Sequence, residues 1–245
     1  MLQLENVTVR FGGLTAVNGV SLAIGTGDVV GLVGANGAGK TTLFNAISGL
    51  ARTTGGRIVF EGRDLLRAPM YQRARMGIGR TFQIPQPMHE LTVRQNLMVA
   101  QRFGTGAVDA RRIDEILDFT GLAGKAERDA ATGLALTELK ALEVAKALAT
   151  APRLLLLDEV LAGLETTAKR HFMGMLKGLH ATFGVGILII EHDIETISNL
   201  CQRVAVLDFG QLIADGTPAA VFDDPAVVKS YTGADTASLT GARHA

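Results

Sequence analysis

The 245-residue chain carries 24 basic and 24 acidic side chains, so its formal charge is zero and no overall field draws it to nucleic acid or to an anionic membrane. With 47% hydrophobic residues and 29 glycines it is too apolar for a disordered chain, and its length suits one globular unit rather than two independent ones. A lone cysteine, Cys201, excludes an internal disulfide and fits a reducing compartment, with a small buried apolar side chain as its expected role.

The opening MLQLENVTVRF alternates as a strand does and lacks the basic-then-apolar plan of a signal peptide. GGLTAV is expected to turn the chain, and VSLAIGTGDVVGLVGANG then supplies two short apolar runs punctuated by glycine. From Gly39 to Leu50 the apolar residues Leu43, Ile47 and Leu50 recur at helical spacing. GGRIVFEGRDL reads as a short hairpin. Between about Thr92 and Thr150 the texture becomes helical, in TVRQNLMVAQRF, ARRIDEILDFTGL and LALTELKALEVAKAL. Strands return as LLLLD, GVGILIIEH and RVAVLDFG, with MGMLKGLHATF and IETISNLC as helices between them, and such alternation implies a largely parallel sheet with crossovers. The small, polar segment after Gly233 is expected to fray. No apolar run approaches the roughly 18 residues of a membrane span, so the chain is expected to be soluble and cytoplasmic, meeting a membrane only through a partner.

The strongest chemical signal is Gly34-Ala35-Asn36-Gly37-Ala38-Gly39-Lys40-Thr41, which fits GxxxxGK[ST] between a strand and a helix. Glycines let backbone amides curl around phosphates at a helix N-terminus, Lys40 reaches the outer phosphates and Thr41 holds magnesium. Asn36, Gly37, Gly39, Lys40, Thr41 and the following Thr42 are therefore the expected nucleotide contacts. A second signal is independent of the first: the apolar run Leu154 to Leu157 ends in Asp158 and Glu159, which puts two carboxylates at the carboxyl edge of a sheet. Asp158 suits magnesium held through water, and Glu159 suits polarisation of an attacking water.

With these motifs in order, the chain resembles the nucleotide-binding subunits of ABC transporters over nearly its whole length. The resemblance implies an α/β fold: a P-loop NTPase (RecA-like) core with a mainly parallel sheet, an N-terminal antiparallel β part and an inserted helical subdomain. Residues 1–245 would form one nucleotide-binding domain, with roughly 1–90 and 151–233 as the catalytic core, 91–150 as the helical subdomain and 234–245 as a tail. It further implies that Phe11 stacks on adenine, that Gln83 in RTFQIPQP senses the γ-phosphate and contributes to the metal site, and that His192 in IIEHD is the switch histidine. Ala162, Gly163 and Leu164 match the loop that crosses the dimer in that family.

One motif departs from the pattern. Where the family carries a signature loop written LSGGQ, this chain has LALTE: Ala135 replaces the serine, Leu136 and Thr137 the glycines, and Glu138 the glutamine. Ala135 cannot donate a hydroxyl, and β-carbons at Leu136 and Thr137 hinder positive φ and close approach to phosphate. Glu138 is expected to put a negative charge near that of the phosphate, while Thr137 could cap the helix. On that helix Leu139, Leu142, Ala145 and Leu148 mark an apolar face and Lys140, Glu143 and Lys146 another. Two readings stand: the loop works with the backbone donors left to it, or the subunit pairs with a different one carrying an intact signature.

GIGRTFQIPQPMHELTVRQNLMVA, EVLAGL and the ending VLDFGQLIADGTPAAVFDDPAVVKSYTG look specifically like the ATP-binding subunits of branched-chain (hydrophobic) amino-acid importers. The expected activity is ATP hydrolysis with ATP and Mg2+, powering import from the cytoplasmic face of the inner membrane. The expected partners are permease subunits, a second ATP-binding subunit and, indirectly, a periplasmic solute-binding protein, with no nucleic acid. The alternatives are a non-transport ATPase of the same superfamily and a regulatory subunit that hydrolyses little.

Overall fold

The computed structural model describes residues 1–232, so the tail expected over 234–245 lies outside the described residues. Alternating apolar positions at the start build β1 (Leu2–Phe11) and β2 (Leu14–Ile24), antiparallel and closed by the Phe11–Leu14 pair. The expected turn across GGLTAV is thus corrected. Gly12, at φ 57, reverses the chain with Gly13 alone, which leaves Leu14 to Val17 free to pair as strand. The apolar run after the next glycine turn forms β3 (Val29–Val33), the phosphate-loop motif follows, and α1 (Lys40–Ser48) opens directly from it. The hairpin is β4 (Gly55–Phe60) with β5 (Arg63–Asp64), and β4 joins β1, so the four strands β2-β1-β4-β5 form an antiparallel sheet.

Next come α2 (Met70–Arg75) and β6 (Ile78–Arg80). Arg73 of α2 is buried and its guanidinium donates to the carbonyls of Ala46 and Ile47, which have no partner within α1 at its C-terminus. The helical stretch resolves into α3 (Val93–Thr105), α4 (Ala110–Phe119), a 3-10 turn at Ala123–Lys125 and α5 (Leu136–Ala149). Thr92 starts α3 through a reciprocal capping box with Gln95, and Asp109 caps α4. Then follow β7 (Leu154–Asp158), α6 (Thr166–Phe183), β8 (Gly186–Ile190), α7 (Ile194–Leu200), β9 (Arg203–Asp208), β10 (Gln211–Gly216), α8 (Pro218–Phe222) and α9 (Pro225–Thr232).

The second sheet runs β10-β9-β3-β8-β7-β6 and is parallel apart from the β9–β10 pair. Its central strands are buried on both faces, which is why they read as unbroken apolar runs. Val29, Val33, Leu155, Leu157, Ile187 and Ile189 point into a core shared with α3, α4, α5 and α6. Their alternates Val30, Leu32, Leu154, Leu156, Leu188 and Ile190 point into a core shared with α1 and the antiparallel sheet. Because β3, β7 and β8 are parallel neighbours, the segments after them emerge at one sheet edge.

The expected division of α5 into an apolar face and a separate charged one is corrected in its burial: the helix is buried nearly all round, Lys140 and Glu143 included. Its charged groups are satisfied by distant chain. The Glu143 carboxylate accepts from the Gln86 N–H at 2.7 Å and from Lys146 at 2.6 Å, and Lys146 also donates to the Gln86 carbonyl at 2.5 Å.

Candidate active site

The loop between β3 and α1 is shaped by glycines at the positions that need them. Gly34 has φ 145, and a β-carbon there would lie 2.1 Å from the Leu207 carbonyl oxygen; at Gly39, φ 101, it would lie 2.4 Å from the Ala16 carbonyl oxygen. Gly39 is also the N-cap of α1, with no side-chain cap and no acidic residue in the first turn. The amides at this helix start are therefore not committed to a side chain, and the dipole favours an anion there. Lys40 folds back over the loop, its ammonium donating to the carbonyls of Gly34 at 2.7 Å and Ala35 at 2.9 Å. Burial lowers its pKa, against the pull of Glu159 and Asp158.

A cavity of about 410 Å³ opens over this loop. It brings together Phe11, Asn36, Gly37, Gly39, Lys40, Thr41 and Thr42 with Glu159 and His192, nine residues that the sequence places in four separate stretches. Phe11 presents a half-exposed ring at the end of β1, beside Leu14 and Ala16. Glu159 follows β7 directly. Its Oε2 accepts from Gln83 Nε2 at 2.5 Å and its Oε1 lies 2.7 Å from His192 Nε2, so both carboxylate oxygens are oriented by side chains from other segments. Gln83 thus joins the site through Glu159 rather than through the cavity wall.

Asp158 is buried at the end of β7. One of its oxygens, Oδ2, meets the Arg80 guanidinium at 3.2 Å, and its N–H donates to the Thr81 hydroxyl. Burial raises its pKa, Arg80 opposes that rise and Glu159 adds to it. Arg80 also donates to Asn45 at 2.7 Å and Ser48 at 2.8 Å on α1, tying the strand that ends in Asp158 to the helix that begins at Lys40. Sequence reasoning passed over Arg80, whose only local signal is its place at the end of a short strand. It also passed over Glu191, and it placed Lys140 on a helix face without linking it to the site; both are buried next to Glu159, where Lys140 donates to the Glu159 carbonyl and Glu191 accepts from the Leu161 N–H.

The four signature-loop residues do not line this cavity. Ala135 is the N-cap of α5, extended at φ −74 and ψ 165, so the expectation that Thr137 caps the helix is corrected: Thr137 already lies in the first turn. Leu136 is about half exposed and sits beside Gly163, whose φ is 74. Glu138 is held at the start of α5 by partners within the chain. Its carboxylate accepts from the Ala135 N–H at 2.9 Å and pairs with Lys125. Partial burial raises its pKa, but Lys125, the Ala135 amide and Arg128 outweigh burial and hold it below the ordinary value. Cys201 is buried as expected, and burial pushes its thiol up to about 12.

A phosphate-cradling loop at the edge of a parallel sheet, with an oriented carboxylate across the cavity, defines a P-loop nucleotide-hydrolase site. The family described as ABC transporter matches residues 17–162, and that described as branched-chain amino acid ATP-binding cassette transporter matches residues 211–237. The high-affinity branched-chain amino acid transport ATP-binding protein BraF of Pseudomonas aeruginosa is 36% identical over 95% of this chain and 98% of its own length. The probable branched-chain amino acid transport ATP-binding protein LivG of Archaeoglobus fulgidus is 34% identical over 98% of both. Among solved structures, the ADP conformation of MJ1267, an ATP-binding cassette of an ABC transporter, superposes with a TM-score of 0.85 at 32% identity, covering 96% of this chain and 99% of that one. The chain belongs to the ABC transporter family, as one of its ATP-binding, ATP-hydrolysing subunits. Such subunits dimerise and act with membrane permease components, and among the described residues no helix is long and apolar enough to cross a membrane.

Proposed function

We propose that the cavity between Phe11 and His192 is where this chain hydrolyses ATP, and that the hydrolysis powers an importer of branched-chain or related amino acids. The observation that carries the reading is the convergence of the phosphate loop, Glu159 and His192 on one cavity. In this reading Phe11 stacks on the adenine and the amides of Asn36, Gly37 and Gly39 take the phosphates, assisted by Thr42. Lys40 moves from the loop carbonyls to the outer phosphates. Glu159, oriented by Gln83 and His192, holds the attacking water, and His192 contacts the γ-phosphate.

Thr41, Gln83 and Asp158 offer a hydroxyl, an amide oxygen and a carboxylate, an all-oxygen set that suits magnesium. Gln83 gives its amide nitrogen to Glu159 and Asp158 gives Oδ2 to Arg80, so one oxygen on each remains as a donor. A magnesium ion held by these residues would offset negative charge on the phosphates.

The amino-acid class rests on the names of the relatives and on the match at residues 211–237. The same reading takes residues 1–245 as one nucleotide-binding domain with the helices of 91–150 as its inserted subdomain. It sets the chain on the cytoplasmic face of the membrane, held by permease subunits, beside a second ATP-binding subunit and served indirectly by a periplasmic solute-binding protein. For that second subunit we favour a different chain with an intact signature, because Glu138 brings a carboxylate to the N-terminus of α5, where the family receives phosphate.

The test is steady-state ATP hydrolysis by the purified chain with magnesium, before and after Ala135→Ser, Leu136→Gly, Thr137→Gly and Glu138→Gln together, with Lys40→Ala as the blank. A rate near the blank that rises strongly in the fourfold variant is the expected result. Equal rates would mean that LALTE completes a site as it stands, and the argument for an unlike partner would fall.

A further inference from the structure

The backbone at Glu159 is unusual: φ is 48, a left-handed conformation that a non-glycine residue adopts at a cost and keeps only when its surroundings impose it. Three contacts impose it. The Glu159 N–H donates to the Ile190 carbonyl at 3.0 Å, the Glu159 carbonyl accepts from Lys140 Nζ at 3.1 Å, and two residues on the Leu161 N–H donates to Glu191 Oε1 at 2.9 Å. Both tethering side chains are about 95% buried, with relative exposure of 5% each. Burying an ammonium is costly, and a methionine would fill a similar volume without that cost, so Lys140 is not there as packing.

We propose that Lys140 and Glu191 are positioning residues for Glu159, and that Lys140 links the start of α5 to the orientation of that carboxylate. Lys140 lies just over one helical turn from Leu136, the first residue of α5, so a rigid shift of the helix start carries the ammonium with it. Through the Glu159 carbonyl that shift is applied to the backbone from which the Glu159 side chain projects. Residues 134–138, which meet the opposite subunit's nucleotide in the family resemblance, are thereby joined to the carboxylate of this chain's own cavity. Glu191 braces the other side of the same turn. Burial pushes the Glu191 carboxyl up to about 7 despite its bond from the Leu161 amide, and burial lowers the Lys140 pKa against the attraction of Glu191 and Glu159, which fits a pair kept out of water.

The inference rests on the proposed role of Glu159, and the experiment separates the two. ATP turnover is measured against ATP concentration for the full chain assembled with its partner subunits, as wild type, Lys140→Met, Lys140→Arg, Glu191→Leu, Glu191→Gln and Glu159→Gln. Lys140→Met and Glu191→Leu are expected to lower kcat about 10-fold with KM changed less than about twofold, whereas Lys140→Arg and Glu191→Gln, which keep a donor and an acceptor, recover most of the rate. Amide exchange over residues 154–165 is expected to quicken in Lys140→Met while α1 keeps its protection. An inactive Glu159→Gln beside a fully active Lys140→Met would overturn the inference alone, as would equal losses in Lys140→Met and Lys140→Arg, or a loss confined to KM. A fully active Glu159→Gln would instead overturn the role given to Glu159.

Discussion

Two helix N-termini in this chain look alike in outline and differ in what they can receive. α1 begins at Gly39, a residue at φ 101 with no side chain, and its first turn holds no acid. α5 begins at Ala135, which also lacks a capping side chain, but Glu138 returns its carboxylate to the Ala135 amide and pairs with Lys125. Both helices have the same dipole and the same surplus of unpartnered amides. At α1 that surplus faces a cavity and stays available to phosphate. At α5 a carboxylate of the chain already binds the Ala135 amide, so an anion approaching this helix start meets a negative charge. The difference teaches that a helix N-terminus is an anion site only where the sequence declines to cap it.

The largest effects belong at α1. Gly39→Ala would put a β-carbon 2.4 Å from the Ala16 carbonyl oxygen at a backbone angle that disfavours it. We expect a loss of about 3 kcal/mol or more in urea unfolding, together with loss of nucleotide binding. The matched change at the other helix, Ala135→Gly, should cost nothing and gain up to about 1 kcal/mol, since glycine is the better residue at an N-cap and a φ of −74 strains neither. Similar losses at both positions would erase the distinction. Next in size, Lys40→Ala should lower ATP turnover by the chain assembled with its partner subunits by about 100-fold or more, roughly 3 kcal/mol of transition-state stabilisation, with the fold intact by circular dichroism.

The α1 site was legible in the sequence because everything that makes it is local: glycines, lysine and threonine at fixed spacing between an apolar run and a helical pattern. The parallel strands were legible for a related reason, since burial on both faces leaves a continuous apolar run such as LLLLD. The surroundings of α5 were not legible. Lys140, Glu143 and Lys146 recur as a charged face would, and nothing near them in sequence reveals that Gln86, Glu159 and Glu191 close over them. Arg80 was missed in the same way, since its partner Asp158 is 78 residues further along the chain. Helical periodicity shows that a residue lies on a face and not what lies opposite. Glu138 sits between these cases: its three-residue spacing from Ala135 is that of half a capping box, legible locally, but its partner Lys125 lies in another element.

A smaller effect tests what Glu138 does at α5. Glu138→Ala removes both its bond to the Ala135 amide and its pairing with Lys125, and should cost about 1 kcal/mol in urea unfolding at neutral pH. The same group gives a pH signature. Its pKa is held below the unfolded value near 4.5, so its contribution is present above that value and is lost as pH falls through it and below. The gap between wild type and Glu138→Ala should therefore narrow on acidification below about pH 4.5. A gap that stays constant down to pH 3 would show that the side chain acts through packing and not through its charge.

The smallest effect runs the other way. Ala135 leaves one half of the capping box unfilled, because it has no side-chain acceptor for the first-turn amides, while the other half is already supplied by Glu138. Position 135 is exposed and its backbone is extended, the conformation an N-cap serine adopts, so Ala135→Ser introduces the missing acceptor without displacing anything. We expect a gain of about 0.5–1 kcal/mol, seen as a rise of roughly 1–4 °C in Tm. That gain should vanish when Glu138→Gly accompanies it if the two halves of the box support one another, and persist if serine acts alone. ATP turnover provides the sharper reading. If Ala135→Ser stabilises the chain and leaves its ATPase rate unchanged, the hydroxyl is spent on capping α5, and the N-terminus remains closed to phosphate by Glu138. A rise in rate from this single hydroxyl would mean that α5, like α1, still has amides to offer, and the contrast between the two helix starts would reduce to one missing oxygen.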